Sequence, residues 1–67
     1  MKIYLEKEDK TINFKLLKKK MILKEILDEL NISTNSIILV KNDKITLDDS
    51  VVEESDDLKI LSVVSGG

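Results

Sequence analysis

Alternating apolar and polar residues at the start of the chain predict two short β-strands. In "MKIYLE", Ile3 and Leu5 lie on one side and Tyr4 on the other, which is the two-residue period of a half-buried strand. The polar stretch "KEDK" then offers a tight turn, and "TINFKL" alternates again. We therefore expect the first two strands to form an antiparallel hairpin.

The spacing of apolar residues then changes to three and four, which predicts one amphipathic helix. Within "MILKEILDELNI" the apolar positions that recur at this spacing are Ile22, Leu23, Ile26, Leu27 and Leu30. Asn31 suits the left-handed conformation that often ends a helix. We expect the apolar side of this helix to pack against the sheet.

The second half of the chain predicts three more strands. "SIILVK" is apolar and β-branched, the Asn42-Asp43 pair offers a turn before the short strand "KITL", and "LKILSVV" forms the last strand. The acidic stretch "DDSVVEESDD" is expected to be a loop whose Val51 and Val52 tuck under the sheet. The order strand, strand, helix, strand, short strand, strand indicates an α+β domain, with one helix across a mixed sheet of four to five strands.

Composition excludes most catalytic chemistry. The chain has 67 residues without cysteine or histidine, so disulfides, thiolate and imidazole chemistry and the usual transition-metal sites are excluded, and no large cleft is expected. We expect neither a bound cofactor nor a metal. The longest apolar run, residues 37–40, is far too short to span a membrane, and the start does not resemble a signal peptide. We expect a cytoplasmic protein.

Charge is divided between the two parts of the chain. Residues 1–24 hold eight lysines and three acids, whereas residues 25–67 hold three lysines and ten acids. Nucleic-acid binding is disfavoured, because the net charge is −2 and only two residues are aromatic. The acids between positions 48 and 57 do not have the spacing of a calcium-binding loop and are expected to be solvated.

Lysines near the expected start of the helix oppose the helix dipole, and acids toward its end do the same. Two interpretations stay open: both groups are ordinary solvated side chains, or the lysines bind an acidic partner. The lysines concerned are Lys18, Lys19 and Lys20, and the acids are Glu25, Asp28 and Glu29.

The chain ends "VVSGG", and the last two residues are its only glycines. Average usage of about 7% would give roughly five glycines in a chain of this length, so chance placement explains the pair poorly. Glycine has no Cβ, and an extended Gly66-Gly67 segment therefore fits a narrow channel, with the Gly67 carboxylate as the reactive group. The alternative is that glycine is merely tolerated at a frayed end. Ser65 is expected to be a spacer, since no base lies nearby to activate its hydroxyl.

The order of elements, the Asn42 turn, the acidic pair Asp56-Asp57 before the last strand and the ending "VVSGG" together resemble the ThiS/MoaD sulfur carriers, which are relatives of ubiquitin. The resemblance implies a single β-grasp domain over residues 1–64 and a flexible Ser-Gly-Gly tail over residues 65–67.

The resemblance also implies a role as a substrate and not as an enzyme. A ubiquitin-activating-type enzyme would use ATP to adenylate the Gly67 carboxylate, with Ser65 and Gly66 threading into its active site. A sulfur donor would then form a thiocarboxylate. The sulfur would pass to a synthase of thiamine or molybdopterin biosynthesis, or to a tRNA-thiolating enzyme, and the short chain is more similar to the thiamine-pathway carriers.

Two other functions remain open at this stage. A ubiquitin-like modifier would join Gly67 to lysine amines of other proteins, whereas a non-covalent interaction module would use only its sheet. In either case Tyr4, with Ile38 or Val40, forms a candidate docking surface, because ubiquitin-like folds dock on activating enzymes through a sheet face. The same residues would also suit plain sheet packing.

Overall fold

Strands and one helix account for most of residues 1–63, which are the residues described by the computed structural model. The expectations for Val64 and for the Ser65–Gly67 tail lie outside these described residues. A short 3₁₀ turn covers Glu6–Glu8. The elements are β1 (Lys2–Leu5), β2 (Lys10–Asn13), β3 (Lys20–Ile22), α1 (Leu23–Glu29), β4 (Ile37–Lys41), β5 (Lys44–Thr46), β6 (Val51–Glu53) and β7 (Asp57–Ser62).

Five strands form a mixed sheet in the order β2-β1-β7-β4-β5. The last strand, β7, lies in the centre, parallel to β1 and antiparallel to β4. The two edges are hairpins, in which β1 pairs with β2 and β4 pairs with β5. This arrangement confirms the expected α+β class and the β-grasp order of elements.

Both hairpin turns contain residues that tolerate the left-handed conformation. Asp9 has φ 49° after the 3₁₀ turn, and Asn42 and Asp43 have φ 50° and 67° between β4 and β5. Asparagine and aspartate adopt this conformation more readily than other residues with a Cβ, and two such residues in succession are typical of a two-residue hairpin turn. The predicted turns, and the left-handed Asn31 after the helix (φ 57°), are therefore confirmed.

One face of the sheet packs against the helix and forms the core. Leu23, Ile26 and Leu27 of α1 are fully buried, as are Ile3 of β1 and Leu58 of β7. This matches the predicted apolar side of the helix from Leu23 onward. The remaining buried apolar residues are Leu16, Met21, Leu39, Val52 and Ile60.

A second, two-stranded sheet corrects two predictions. Residues 20–22, which were assigned in part to the helix, form β3, and this strand pairs antiparallel with β6 in the stretch predicted to be a loop. Consequently Ile22 is 40% exposed instead of lying on the buried side of a helix. The inward positions of the small sheet are Met21 and Val52, whereas Val51 is 49% exposed, so only one of the two valines is buried.

The helix also corrects the expected position of Glu25. Because α1 begins at Leu23, Glu25 lies in the first turn, where a carboxylate is favourable, and not toward the last turn. Its Oε1 accepts a hydrogen bond from the Ile22 N–H at 3.1 Å, and its Oε2 lies 3.2 Å from Lys18 Nζ. The backbone bond first, and Lys18 second, lower the pKa of Glu25. Only Asp28 and Glu29 occupy the unfavourable end.

Asp56 joins the turn after β6 to the turn after β4. Its Oδ1 accepts a hydrogen bond from Asn42 Nδ2 at 2.9 Å, and its Oδ2 accepts one from the Glu53 N–H at 2.8 Å. Asn42 Oδ1 in turn accepts from the Asp57 N–H at 3.0 Å. The Asn42 bond first, and the Glu53 bond second, lower the pKa of Asp56. These bonds favour the ionised form because a carboxylate accepts them better than a carboxylic acid does.

Asp56→Asn is expected to weaken the dependence of stability on acid pH. The pKa of Asp56 is lower in the folded chain than its ordinary value of 3.8, so its contribution is present above that value and is lost as pH falls through the folded pKa. Urea unfolding of both proteins at neutral pH and below pH 4 measures the difference. The wild type should lose more stability on acidification than the variant.

Asp49→Asn is the matched control, because Asp49 is an exposed acid of the same acidic stretch that makes no side-chain hydrogen bond within residues 1–63. Glu25 and Glu54 keep their lowered pKa values in both variants, so some acid sensitivity remains in each. Equal acid sensitivity of wild type and Asp56→Asn would contradict the role of the Asp56 bonds.

Candidate functional site

The open face of the five-stranded sheet, on the side away from α1, carries the predicted docking residues. Tyr4 and Val40 both lie opposite Lys59 in the register of the strands, so all three share this face. Tyr4 and Val40 are not direct neighbours, since β7 runs between their strands. Together with Lys59 they line a shallow depression of about 320 Å³.

Apolar residues extend this face toward the β5 edge. Ile38 is 37% exposed and lies opposite Leu61, and Ile45, which is 77% exposed, lies opposite Val40. Ile45 and Leu61 were missed by the sequence analysis, because the pairing register is needed to assign them to the open face. Leu47 is 71% exposed but lies beyond the end of β5 at Thr46.

Tyr4 is held in one orientation by a neighbouring carboxylate. Its hydroxyl donates a hydrogen bond to Asp9 Oδ1 at 2.7 Å, and this bond is the main reason why the pKa of Tyr4 is raised. The ring oriented by this bond presents an apolar surface with a hydroxyl at its edge.

Charged side chains of both signs lie among the apolar residues of the open face, with Lys59 between Tyr4 and Val40. Lys2 lies opposite Asp57, and Lys59 Nζ is 3.7 Å from Asp43 Oδ1. Such exposed pairs contribute little stability, but they influence which partner surfaces approach and in what orientation. The open face thus combines exposed apolar residues with charged side chains of both signs, a composition suited to binding another protein.

The three lysines proposed to meet an acidic partner lie elsewhere. Lys18 pairs with Glu25 in the first turn of α1, and Lys20 lies opposite Glu53 in the small sheet. Lys19, between them, is exposed. The structure therefore places Lys18–Lys20 with the helix and the small sheet, and it does not bring them together with Tyr4, Ile38 and Val40.

The end of β7 leads to the predicted reactive segment and is held by two hydrogen bonds. The Ser62 N–H donates to Glu6 Oε1 at 3.0 Å, and the Val63 N–H donates to the Ser36 carbonyl oxygen at 2.9 Å. Ser36 itself has φ 67°, a conformation that is uncommon for serine. The predicted site residues Ser65, Gly66 and Gly67 follow after Val64 in the sequence and lie outside the described residues.

Among residues 1–63, no group of three or more acidic side chains is arranged to hold a metal ion. No helix in this part of the chain is long and apolar enough to cross a membrane.

Comparisons with known proteins identify a similar fold. No protein-family profile matches the chain, and no curated protein matches its sequence. A crystal structure of the thiamine biosynthesis protein ThiS from Geobacter metallireducens is similar with a TM-score of 0.68 and 17% sequence identity, over 100% of both chains. At this identity the likeness shows the fold alone, and the chain therefore has a ThiS-like β-grasp fold.

Proposed function

We propose that this chain is a sulfur carrier that is activated at the Gly67 carboxylate by a ubiquitin-activating-type enzyme. The observation that carries the proposal is the likeness in fold to a ThiS protein over the full length of both chains. The ending Ser65-Gly66-Gly67 supports it, because the two glycines come shortly after the central strand β7 in the sequence. The chain acts as the substrate, and the partner enzyme supplies the catalytic groups.

The proposed chemistry has two steps. A Gly67 carboxylate oxygen attacks the α-phosphorus of ATP in the partner's active site, and pyrophosphate leaves, which gives an acyl-adenylate. A sulfide-equivalent donor then attacks the acyl carbon, and AMP leaves with the electron pair of the C–O bond. The product is a thiocarboxylate. The proposal requires that Gly67 carry the free carboxylate, and it requires no base or nucleophile from this chain.

The sulfur acceptor we favour is a thiazole-forming synthase of the thiamine pathway, because the ThiS neighbour is a thiamine biosynthesis protein and matches this chain in extent. A molybdopterin synthase and a tRNA-thiolating enzyme are the other candidate acceptors of sulfur from the thiocarboxylate. The open face provides the surface on which the adenylating enzyme docks, through the apolar residues Tyr4, Ile38 and Val40.

Intact mass measurement tests the proposal. The chain, prepared with a free Gly67 carboxylate, is incubated with ATP, the adenylating enzyme of the same cell and a sulfide donor. We expect a mass gain that corresponds to replacement of one oxygen by sulfur, and this gain should require both ATP and the enzyme. Absence of any adenylate or thiocarboxylate with that enzyme would contradict the proposal.

Two other outcomes of this experiment identify different functions. Attachment to lysines of other proteins, without a stable thiocarboxylate, would indicate a ubiquitin-like modifier that uses the same adenylated end. A non-covalent interaction module is favoured by one observation, the exposed apolar residues of the open face. In that case removal of Gly67 would leave partner binding intact.

Ile38→Lys is expected to weaken binding of the adenylating enzyme about ten-fold or more. Ile38 lies opposite Leu61 and two residues before Val40 on the open face, and a lysine there would replace an apolar contact of the proposed interface by a charge. Because Ile38 is already 37% exposed, the substitution should change the stability of the fold only modestly. Titration calorimetry with the enzyme measures the effect.

Leu17→Lys serves as the control for this prediction. Leu17 is 76% exposed and lies outside the five-stranded sheet. Leu17→Lys therefore makes a similar change of size and charge at a position away from the open face. Equal affinity of wild type and Ile38→Lys, or an equal loss in both variants, would argue against docking through this face.

A further inference from the structure

The outward side of the small sheet carries an exposed apolar pair. Ile22 of β3 lies directly opposite Val51 of β6, and the two residues are 40% and 49% exposed. The Leu23 N–H donates to the Ser50 carbonyl oxygen at 2.9 Å, so the adjoining pair of Ile22 and Val51 is a non-hydrogen-bonded pair, the kind whose side chains lie closest together. The side of an antiparallel sheet that faces water is usually polar, and this pair instead leaves apolar surface free to contact a partner.

Lysines border this apolar pair. Lys20 precedes Ile22 by two residues in β3 and therefore lies on the same outward side. Lys19 and Lys20 are both exposed, and within residues 1–63 neither forms an ion pair with a carboxylate. The small sheet contains one acid, Glu53, which lies opposite Lys20. The two ammonium groups are thus available to carboxylates of another molecule.

Two acids that adjoin the small sheet are already paired with other groups. Glu25 Oε2 lies 3.2 Å from Lys18 Nζ, and Glu54 Oε2 lies 2.8 Å from the amino group of Met1. Residues 15–24 hold five lysines and no acid, although the whole chain has a net charge of −2. A positive region of this kind attracts acidic partners and repels basic ones.

We propose that Lys19, Lys20, Ile22 and Val51 form a docking surface, the basic surface, for an acidic segment of a partner protein that includes an apolar side chain. That side chain packs on Ile22 and Val51, and carboxylates next to it pair with the two lysines. Burial of the apolar contact supplies affinity, whereas the charges select an acidic segment. Docking at the basic surface requires neither the open face nor activation at Gly67, and it therefore goes beyond the proposed function.

A protein segment fits the basic surface better than a nucleic acid does. Single-stranded nucleic acids stack their bases on aromatic side chains, and none of the six residues of the small sheet is aromatic. Ile22 and Val51 offer an aliphatic contact instead. A segment of glutamates or aspartates around an aliphatic residue matches both the apolar pair and the lysines.

Nuclear magnetic resonance titration with two defined peptides tests the proposal. One blocked hexapeptide has an Ile-Val pair between two glutamates on each side, and in the other a Ser-Ser pair replaces Ile-Val. We expect shifts of backbone amides at residues 19–22 and 51–53, and affinity about ten-fold lower for the serine peptide because it buries no aliphatic side chain. The affinity for both peptides should fall as salt is added.

Two double variants locate the binding site. Lys19→Glu with Lys20→Glu is expected to lower the affinity for the Ile-Val peptide about ten-fold or more, because like charges then face each other. The matched control is Lys44→Glu with Lys59→Glu, which changes two exposed lysines of the five-stranded sheet. Each substitution lowers the net charge by two, so both double variants change it from −2 to −6. The control should retain most of the wild-type affinity.

Val51→Thr keeps the branched shape of an exposed strand residue and provides a test that does not alter charge. It should weaken binding of the Ile-Val peptide and leave binding of the serine peptide unchanged. Melting temperatures close to that of the wild type would confirm that all variants are folded.

Several results would overturn the proposal. They are an absence of shifts at residues 19–22 and 51–53, equal binding of both peptides, and an equal loss of affinity in both double variants. Tighter binding of a thymidine oligonucleotide to the same residues would identify a nucleic acid as the occupant, and shifts that depend on protein concentration without peptide would identify a second copy of the chain. Adenylation of Gly67 is measured separately, so the proposed function stands or fails independently of these results.

Discussion

Deletion of Gly67 is expected to lower the rate of adenylation by about a hundred-fold or more. The deletion leaves a carboxylate on Gly66, but it moves that carboxylate back by about 3.3 to 3.6 Å along an extended chain. Displacement of a reacting group by about 1 Å can already reduce a rate by 10². The pyrophosphate released from ATP in the presence of the adenylating enzyme measures this loss directly.

The matched control for this deletion is Ser65→Ala, which changes the same segment without changing its length. We expect this variant to be adenylated at nearly the wild-type rate, because the serine hydroxyl has no assigned role beyond that of a small spacer. Unfolding experiments should give the same stability for the deletion variant, Ser65→Ala and the wild type. Adenylation of the Gly66 carboxylate at the wild-type rate would show that tail length does not limit the reaction.

Deletion of Gly67 and substitution of Ile38 affect different steps. The first is expected to leave docking intact and to stop the chemistry, since the open face is unchanged. The second is expected to weaken docking, and high enzyme concentration should then restore adenylation. A chain that needs both the tail and the face behaves as an activated carrier, whereas one that needs only the face behaves as a non-covalent module.

Local patterns predicted most elements of the sheet because each strand has its own alternation. The hairpin of β1 and β2, the turn at Asn42-Asp43 and the central last strand depend on short-range signals that tertiary contacts reinforce. The predicted buried positions Leu23, Ile26 and Leu27 were right for the same reason.

The small sheet could not be predicted in this way. Met21 pairs with Val52 across about thirty residues of sequence, and each strand has only three residues. A short apolar run such as "MIL" fits both a strand and the start of a helix, and periodicity alone does not decide between them. The wrong position predicted for Glu25 followed from this error. The helix begins at Leu23 and not at Met21, and Glu25 consequently lies in its first turn.

The candidate site was predicted in part. The sequence indicates Gly67 as the reactive end and Tyr4, Ile38 and Val40 as docking residues, but the face on which Leu61 and Ile45 lie depends on the strand register. The bond between Glu6 and the Ser62 N–H joins residues that are far apart in sequence, and no local pattern marks it. Features that arise from pairing across the sheet therefore require the structure.

Leu58→Ala is expected to lower the stability of the domain by about 2 to 5 kcal/mol. Leu58 lies in the central strand β7, is 1% exposed and is opposite Ile3, which is fully buried. A chain of this length is stabilised by only about 3 to 10 kcal/mol in total. The melting temperature should consequently fall by at least about 10 °C, which calorimetry or circular dichroism can measure.

Lys59→Ala is the control for Leu58→Ala, since the next residue of the same strand faces the open side and is exposed. It should shift the melting temperature by only a few degrees. An unchanged melting temperature in Leu58→Ala would contradict the placement of β7 in the core.

The temperature dependence of adenylation distinguishes a folding defect from a chemical one. At a temperature at which Leu58→Ala is still folded, its Gly67 carboxylate should be adenylated nearly as fast as that of the wild type, because Leu58 lies on the side of the sheet away from the proposed docking residues. Activity should then disappear as the variant unfolds. The Gly67 deletion, in contrast, should remain folded and poorly adenylated throughout this range, since it displaces the reacting carboxylate and changes none of the buried residues of the core.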